Sequence, residues 1–130
     1  MEEIVVVDDD ALIRELLAEW LGEAGYRVRQ ARTGSEALQM LRGQSAGLLI
    51  TDMDMPGRDG AQTLEEARRL QPGLAVIAIS GGARKGKRDW VATARELGAS
   101  STLAKPFERA DLLAAVAKIL PQRNSATAQP

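Results

Sequence analysis

Along the chain, short uninterrupted apolar runs alternate with longer stretches in which apolar residues recur every three or four positions. Ile4 to Val7 is β-branched throughout and bounded by acids, the pattern of a strand buried on both faces. From Asp10 the period changes: Ile13, Leu16, Leu17, Trp20 and Leu21 share one helix face, while Arg14, Glu15 and Glu19 fall on others. Asp10 is placed to cap that helix by accepting from its free N–H groups, and Gly25 to stop it. Arg27 to Ala31 reads as a weaker strand, and Ser35 opens a short helix through Ala37, Leu38 and Leu41. Leu48-Leu49-Ile50 is the next buried strand. A loop from Asp52 to Gly60, punctuated by Pro56 and Gly57, leads into a helix over Gln62 to Leu70, which Pro72-Gly73 breaks. Leu74 to Ile79 is again all apolar. Ser80 to Gly86 is a glycine-rich loop, and Asp89 to Leu97 is a helix ended by Gly98. Ser101 to Ala104 is a short strand, and Phe107 to Leu120 a helix with Leu112, Leu113, Val116 and Ile119 inward.

Five strands thus alternate with five helices. Strands apolar on both faces and joined by helices predict an α/β fold, a doubly wound five-stranded parallel sheet covered on both sides. The ordered domain is expected over residues 1–120. Residues 121–130 are polar and aperiodic, and a disordered tail is expected there.

Composition narrows the chemistry. At 130 residues, 45% hydrophobic and 27% charged, the chain has the makeup of one globular domain. It contains neither Cys nor His, which removes disulfides, thiolate metal sites, the usual general base and any histidine-based phosphate relay within the chain. Its net charge of −1 offers no footprint for nucleic acid, and two Trp, one Tyr and one Phe do not make a base-stacking platform. Met1-Glu2-Glu3 is acidic where a signal peptide is basic, and no apolar run reaches membrane-spanning length. A soluble, cytoplasmic domain is expected, with no membrane and no nucleic acid among its partners.

In an open parallel sheet, ligands bind beyond the C-terminal ends of the strands, at the switch point of the winding. The polar residues expected there are Asp8, Asp9 and Asp10 after the first strand, Asp52 and Asp54 after the third, Ser80 after the fourth and Lys105 after the fifth. Any one of them is explained as a cap, a turn residue or a solvated lysine. Four strand ends delivering complementary groups to one edge are not explained that way. Clustered carboxylates repel, and Asp8 and Asp9 are expected to raise each other's proton affinity until a cation arrives. Hard oxygen donors without imidazole or thiol select Mg²⁺ or Mn²⁺. A lysine charge and a serine hydroxyl beside them suit a phosphoryl group. With no His or Cys, the plausible nucleophile is a carboxylate, and Asp52, ending the central strand, is the best candidate for an aspartyl phosphate.

Four segments carry a resemblance: Val6-Val7-Asp8-Asp9, Leu48 to Gly60 with Asp52-Met53-Asp54-Met55-Pro56-Gly57, Ile79-Ser80-Gly81-Gly82, and Leu103-Ala104-Lys105-Pro106-Phe107. In this order the chain, over about residues 3 to 120, resembles the receiver domain of bacterial two-component response regulators, in a stand-alone, chemotaxis-regulator-like form with the flavodoxin-like fold. The resemblance implies that Asp52 accepts a phosphoryl group from a histidine of a partner sensor kinase or phosphotransfer protein. It implies Mg²⁺ held by Asp9, Asp52 and the backbone carbonyl of Asp54, with Asp8 acting largely through water. Ser80 and Lys105 would each bind a phosphoryl oxygen, and the Lys105–Pro106 bond would be cis. The output would pass to a downstream protein target, and the chain would catalyse only its own phosphorylation and dephosphorylation; dimerisation is left open. Three features depart from many relatives: the carboxylate of Asp54, Thr102 where an aromatic residue is common, and a long basic loop from Gly81 to Lys87.

Rival readings are a phosphatase of the haloacid dehalogenase type using Asp52-x-Asp54, a flavin-binding module of the same architecture, and a degenerate receiver acting as a scaffold. The first expects the Asp-x-Asp pattern on the first strand, and the second a Ser/Thr/Gly loop where Asp8-Asp9-Asp10 stands. The third expects the site positions to have lost their chemistry.

Overall fold

The apolar runs pair edge to edge. In a computed structural model of the protein, which describes residues 3–53, 60–81 and 90–120, the strands are β1 (Glu3–Val7), β2 (Arg27–Ala31), β3 (Leu48–Asp52), β4 (Ala75–Ser80) and β5 (Ser101–Ala104). They form one sheet in the order β2-β1-β3-β4-β5, every neighbouring pair parallel. The helices are α1 (Ala11–Glu23), α2 (Gly34–Gly43), α3 (Gly60–Leu70), α4 (Trp90–Glu96) and α5 (Arg109–Ile119). This is the doubly wound five-stranded α/β sheet that the alternation predicts. Asp54, the Pro56-Gly57 turn, the basic loop beyond Gly81 and the tail after Leu120 lie outside the described residues.

Strand periodicity builds two cores from one sheet. Val5, Val7, Leu49, Val76 and Ala78 face one side, against Leu38, Leu41, Leu64, Ala67 and Ala94 of α2, α3 and α4. Ile4, Val6, Leu48, Ile50, Ile77 and Ile79 face the other, against Leu17, Leu21, Leu112 and Val116 of α1 and α5. Successive residues point to opposite faces, so a strand covered on both sides must be apolar at every position. Each fully buried Val, Leu or Ile contributes about 1.5–3 kcal/mol relative to exposure.

The helix ends follow local chemistry. Asp10 caps α1, its Oδ1 accepting from the N–H groups of Leu12 at 3.0 Å and Ile13 at 3.4 Å. Gly25 and Gly98 follow α1 and α4 at φ 101° and 98°, a left-handed conformation that favours glycine. Both ends carry the same pair of closing bonds, Gly25 to Gly22 with Tyr26 to Leu21, and Gly98 to Arg95 with Ala99 to Ala94. Helix α2 starts at Gly34 because Thr33 caps it, accepting from the N–H of Glu36. Helix α5 starts at Arg109, later than the apolar pattern predicts, because Glu108 and Asp111 form a reciprocal capping box.

The face of α1 is rotated from the predicted stripe. Its buried residues are Arg14, Leu17 and Leu21, whereas Leu16 is 43% exposed and Ile13 and Trp20 are half-buried. Arg14, assigned by periodicity to another face, is only 8% exposed because it finds polar partners under the helix.

Helix α3 begins at Gly60, two residues before the position the pattern predicts, and its first turn lies against the end of β3. A Cβ on Gly60 would stand 2.4 Å from the Met53 Cα and 2.5 Å from the Asp52 carbonyl oxygen. Both are backbone atoms and cannot swing aside. Gly60→Ala should therefore lower stability by about 1–3 kcal/mol, the usual penalty of overpacking, and displace the end of β3. A urea midpoint indistinguishable from wild type is the result that contradicts this.

Candidate functional site

The strand register brings the polar ends level. Val7 pairs with Thr51, so Asp8 and Asp52 are the next residues on adjacent strands. Asp52 in turn lies opposite Ile79, and Ser80 opposite Ala104. Each strand is extended by one further bond: Asp8 N–H to Ala31 O at 3.2 Å, Met53 N–H to Ile79 O at 2.8 Å and Lys105 N–H to Ser80 O at 2.8 Å. These bonds hold the residues at the strand ends in sheet geometry while their side chains are free of the ladder. The crevice opens between β1 and β3, where the winding reverses.

Asp8, Asp9 and Asp52 each offer a carboxylate oxygen within 4.8 Å of the others. Asp8 and Asp52 are buried, at 0% and 4% exposure, and Asp9 is exposed. Lys105 Nζ donates to Asp52 Oδ2 at 3.1 Å and to Asp8 Oδ2 at 3.4 Å, so one ammonium bridges both buried acids. Asp8 Oδ1 also accepts from the Asp10 N–H at 2.9 Å. Ser80, 5% exposed, ends β4, and the Lys105–Pro106 bond is cis. Of the residues foreseen at the sheet edge, Asp8, Asp9, Asp52 and Lys105 come together, Ser80 stands at the end of β4, and Asp10 turns to the α1 N-terminus. Asp54 lies outside the described residues.

Burial raises the Asp8 carboxyl above its ordinary range, and the Asp52 charge raises it further, against the lowering effect of the Asp10 N–H and of Lys105. The carboxylate that presses on Asp8 is therefore Asp52, across the strands, and not its sequence neighbour Asp9. That corrects the expectation of an Asp8–Asp9 pair: Asp9 is exposed and water screens it. Burial lowers the Lys105 ammonium, but the charges and hydrogen bonds of Asp52 and Asp8 outweigh it, and the net direction is upward.

The sequence profile of the response regulator receiver domain matches residues 4–117. The chain belongs to the response regulator receiver family. Similar proteins include the sporulation initiation phosphotransferase F of Bacillus subtilis (strain 168), 34% identical over 124 residues that take in 95% of this chain and 98% of that protein. The transcriptional regulatory protein PdtaR of Mycobacterium tuberculosis is 38% identical over 116 residues, 87% of this chain but only 54% of that protein. Among solved structures, a response regulator receiver domain protein (CheY-like) from Methanospirillum hungatei JF-1 superposes with a TM-score of 0.84 at 28% identity, covering 96% of this chain and 98% of that one. As a receiver, the domain is a phosphorylation-controlled signalling module of two-component phosphorelays, not a classical enzyme, and the haloacid dehalogenase reading of Asp52-x-Asp54 falls away. Among the described residues, no helix is long and apolar enough to cross a membrane.

In this receiver Lys105 is the counter-charge of two buried carboxylates, so its removal should be felt in stability and in pH dependence. Asp8 has a folded pKa raised above its unfolded one, so its contribution favours the folded state at low pH and is lost as pH rises through the raised value. Without metal, this contribution should fall as pH rises from the ordinary carboxylate range through the raised value. Lys105→Met should lower stability on the order of 2 kcal/mol at neutral pH, and should steepen that fall because only the Asp10 N–H then offsets the burial of Asp8 and its repulsion by Asp52. Urea midpoints measured from the carboxylate range to neutrality check both, and parallel curves for the two proteins contradict the assignment. The Lys105 contribution itself is lost only in the alkaline range, as pH passes its raised value.

Arg14 joins this edge without a signal in the sequence. Its Nη1 donates to the Asp8 carbonyl at 2.9 Å and its Nε to Gln30 Oε1 at 3.1 Å. Helical periodicity carries no signal for this, because the partners belong to β2 and to the turn after β1.

Proposed function

We propose that Asp52 is the phosphoacceptor of this receiver, taking a phosphoryl group from a phosphohistidine on a partner sensor kinase or histidine phosphotransfer protein. The observation that supports this best is Asp52 itself. It is a nearly buried carboxylate at the end of the central strand, paired with Lys105 at 3.1 Å and grouped with Asp8 and Asp9 within 4.8 Å.

The donor set also suits Mg²⁺, or Mn²⁺ in its place. An octahedral Mg²⁺ holds oxygens at about 2.1 Å, so that its ligands stand at most about 4.2 Å apart. The Asp8, Asp9 and Asp52 oxygens, within 4.8 Å of one another, stand close to that range. Asp9 and Asp52 would be direct ligands with the Asp54 carbonyl, and Asp8 would act largely through water. When bound, Mg²⁺ supplies the positive charge that lets an anionic phosphoryl group approach three carboxylates.

The chain's own residues do the rest. An Asp52 carboxylate oxygen forms a bond to phosphorus as the phosphorus–nitrogen bond to the donor imidazole breaks, and the imidazole keeps that electron pair and takes a proton. Lys105 Nζ, already between Asp52 and Asp8, turns to a phosphoryl oxygen and offsets the added charge. The Ser80 hydroxyl donates to another oxygen. Water later attacks phosphorus, the phosphorus–oxygen bond to Asp52 breaks, and inorganic phosphate leaves with the carboxylate restored, so the chain catalyses only its own phosphorylation and dephosphorylation. The phosphorylated domain then binds a downstream protein target, and the reading assigns the chain to the cytoplasm.

Acetyl phosphate supplies the test. With Mg²⁺ it should add the mass of one phosphoryl group, in an acid-labile acyl phosphate that hydroxylamine also cleaves, and the protein should not turn over a small phosphomonoester. Steady phosphomonoester turnover would overturn the signalling role. Phosphotransfer from each kinase of the host then identifies the donor.

A further inference from the structure

Arg14 is a buried cation that the phosphoryl chemistry does not touch. It is 8% exposed on the sheet-facing side of α1, and among the described residues it has no carboxylate partner. A lone buried guanidinium is costly unless its donors are used. Two are: Nη1 donates to the Asp8 carbonyl oxygen at 2.9 Å, and Nε to Gln30 Oε1 at 3.1 Å. Its own backbone N–H donates to the Asp10 carbonyl at 2.9 Å, the first helical bond of α1.

The turn Asp8-Asp9-Asp10 is therefore held from several sides. The Asp8 N–H donates to Ala31 at the end of β2, the Asp8 carbonyl accepts from Arg14, and the Asp10 N–H donates to the Asp8 carboxylate. Gln30 also belongs to β2, so the guanidinium ties the turn to the neighbouring strand through a planar fork. Asp9 is exposed between the two fixed residues. The backbone of this turn sets the Cα–Cβ direction from which its carboxylate departs.

We propose that Arg14 is a positioning residue for the cation site: by clamping the Asp8 carbonyl to β2 it sets the backbone from which Asp8 and Asp9 present their carboxylates. The proposal rests on the divalent-cation reading above. Groups that orient metal ligands from behind typically govern affinity by roughly 10- to 100-fold when removed. A lysine does not replace the clamp, because one ammonium has no fixed fork to span the Asp8 carbonyl and Gln30.

The test is Mg²⁺ affinity by titration calorimetry, with thermal unfolding of the metal-free proteins alongside. Arg14→Lys keeps the charge and Arg14→Met removes it, and both should bind Mg²⁺ roughly 10- to 100-fold more weakly than wild type. Gln30→Ala, at an exposed position of an edge strand, loses one tether and should bind several-fold more weakly. A merely structural role lowers the unfolding temperature and leaves the affinity of the folded protein unchanged, which overturns the proposal. So does tighter binding by Arg14→Met, the mark of simple charge repulsion. Should the Arg14 variants fail to fold, Gln30→Ala decides: unchanged affinity there overturns the clamp, and weaker binding supports it. If wild type itself binds no Mg²⁺, the cation reading and the clamp fall together; if wild type binds and folded variants bind equally, only the clamp falls.

Discussion

Asp52→Asn should abolish phosphorylation by acetyl phosphate while leaving the protein folded. The amide matches the carboxylate in size, and its oxygen still accepts from Lys105, which now stands 3.1 Å from Asp52 Oδ2. What it lacks is a nucleophilic oxygen anion, so the loss is chemical rather than structural. Removal of a covalent nucleophile typically costs more than about 10³-fold in rate, which puts the product below detection by intact mass. The same change should leave a mark at Asp8. Asp52 is the carboxylate whose charge helps hold Asp8 above its ordinary range, so in the variant the Asp8 carboxyl should titrate lower. Carbon-detected NMR of the side-chain carboxyls measures this directly. Phosphorylation that persists in the variant moves the acceptor to another acid, and an unmoved Asp8 titration breaks the proposed coupling.

Asp9→Ala should remove measurable Mg²⁺ binding with little effect on the stability of the metal-free protein. Asp9 is the exposed member of the cluster, and water already screens its charge. Deleting it takes away a ligand without relieving much repulsion. The relief lies instead at Asp8, which is fully buried beside Asp52. Asp8→Asn keeps an acceptor for the Asp10 N–H and removes one of the two facing charges, and should raise metal-free stability on the order of 1 kcal/mol at neutral pH. Calorimetric titration with Mg²⁺ and urea unfolding in chelator separate the two residues. Undiminished Mg²⁺ binding by Asp9→Ala, or a larger gain in stability from Asp9→Ala than from Asp8→Asn, contradicts this division of roles.

Most of the architecture was legible in the sequence, for a local reason. Ile4 to Val7, Leu48 to Ile50 and Leu74 to Ile79 have no polar position to offer solvent, so each must be covered on both faces. Gly25 and Gly98 end their helices through backbone conformation, and Asp10 begins one through its own carboxylate. Such signals act within a few residues and survive in a linear reading. For the same reason Asp8, Asp9, Asp52, Ser80 and Lys105 could be nominated together: each ends a strand or follows one within two residues, and in a parallel sheet all such positions share one edge.

Tertiary structure decided what depends on which elements become neighbours. The apolar stripe of α1 placed Arg14 outside the core. The rotation of α1 against the sheet buried it beneath the Asp8 turn, with partners on that turn and on β2 that no helical period encodes. The register of β1 against β3 made Asp52 the carboxylate facing Asp8 and left the adjacent Asp9 in solvent. Proximity in sequence suggested the Asp8–Asp9 pair, but electrostatic coupling follows distance and burial, and only the packed sheet sets those.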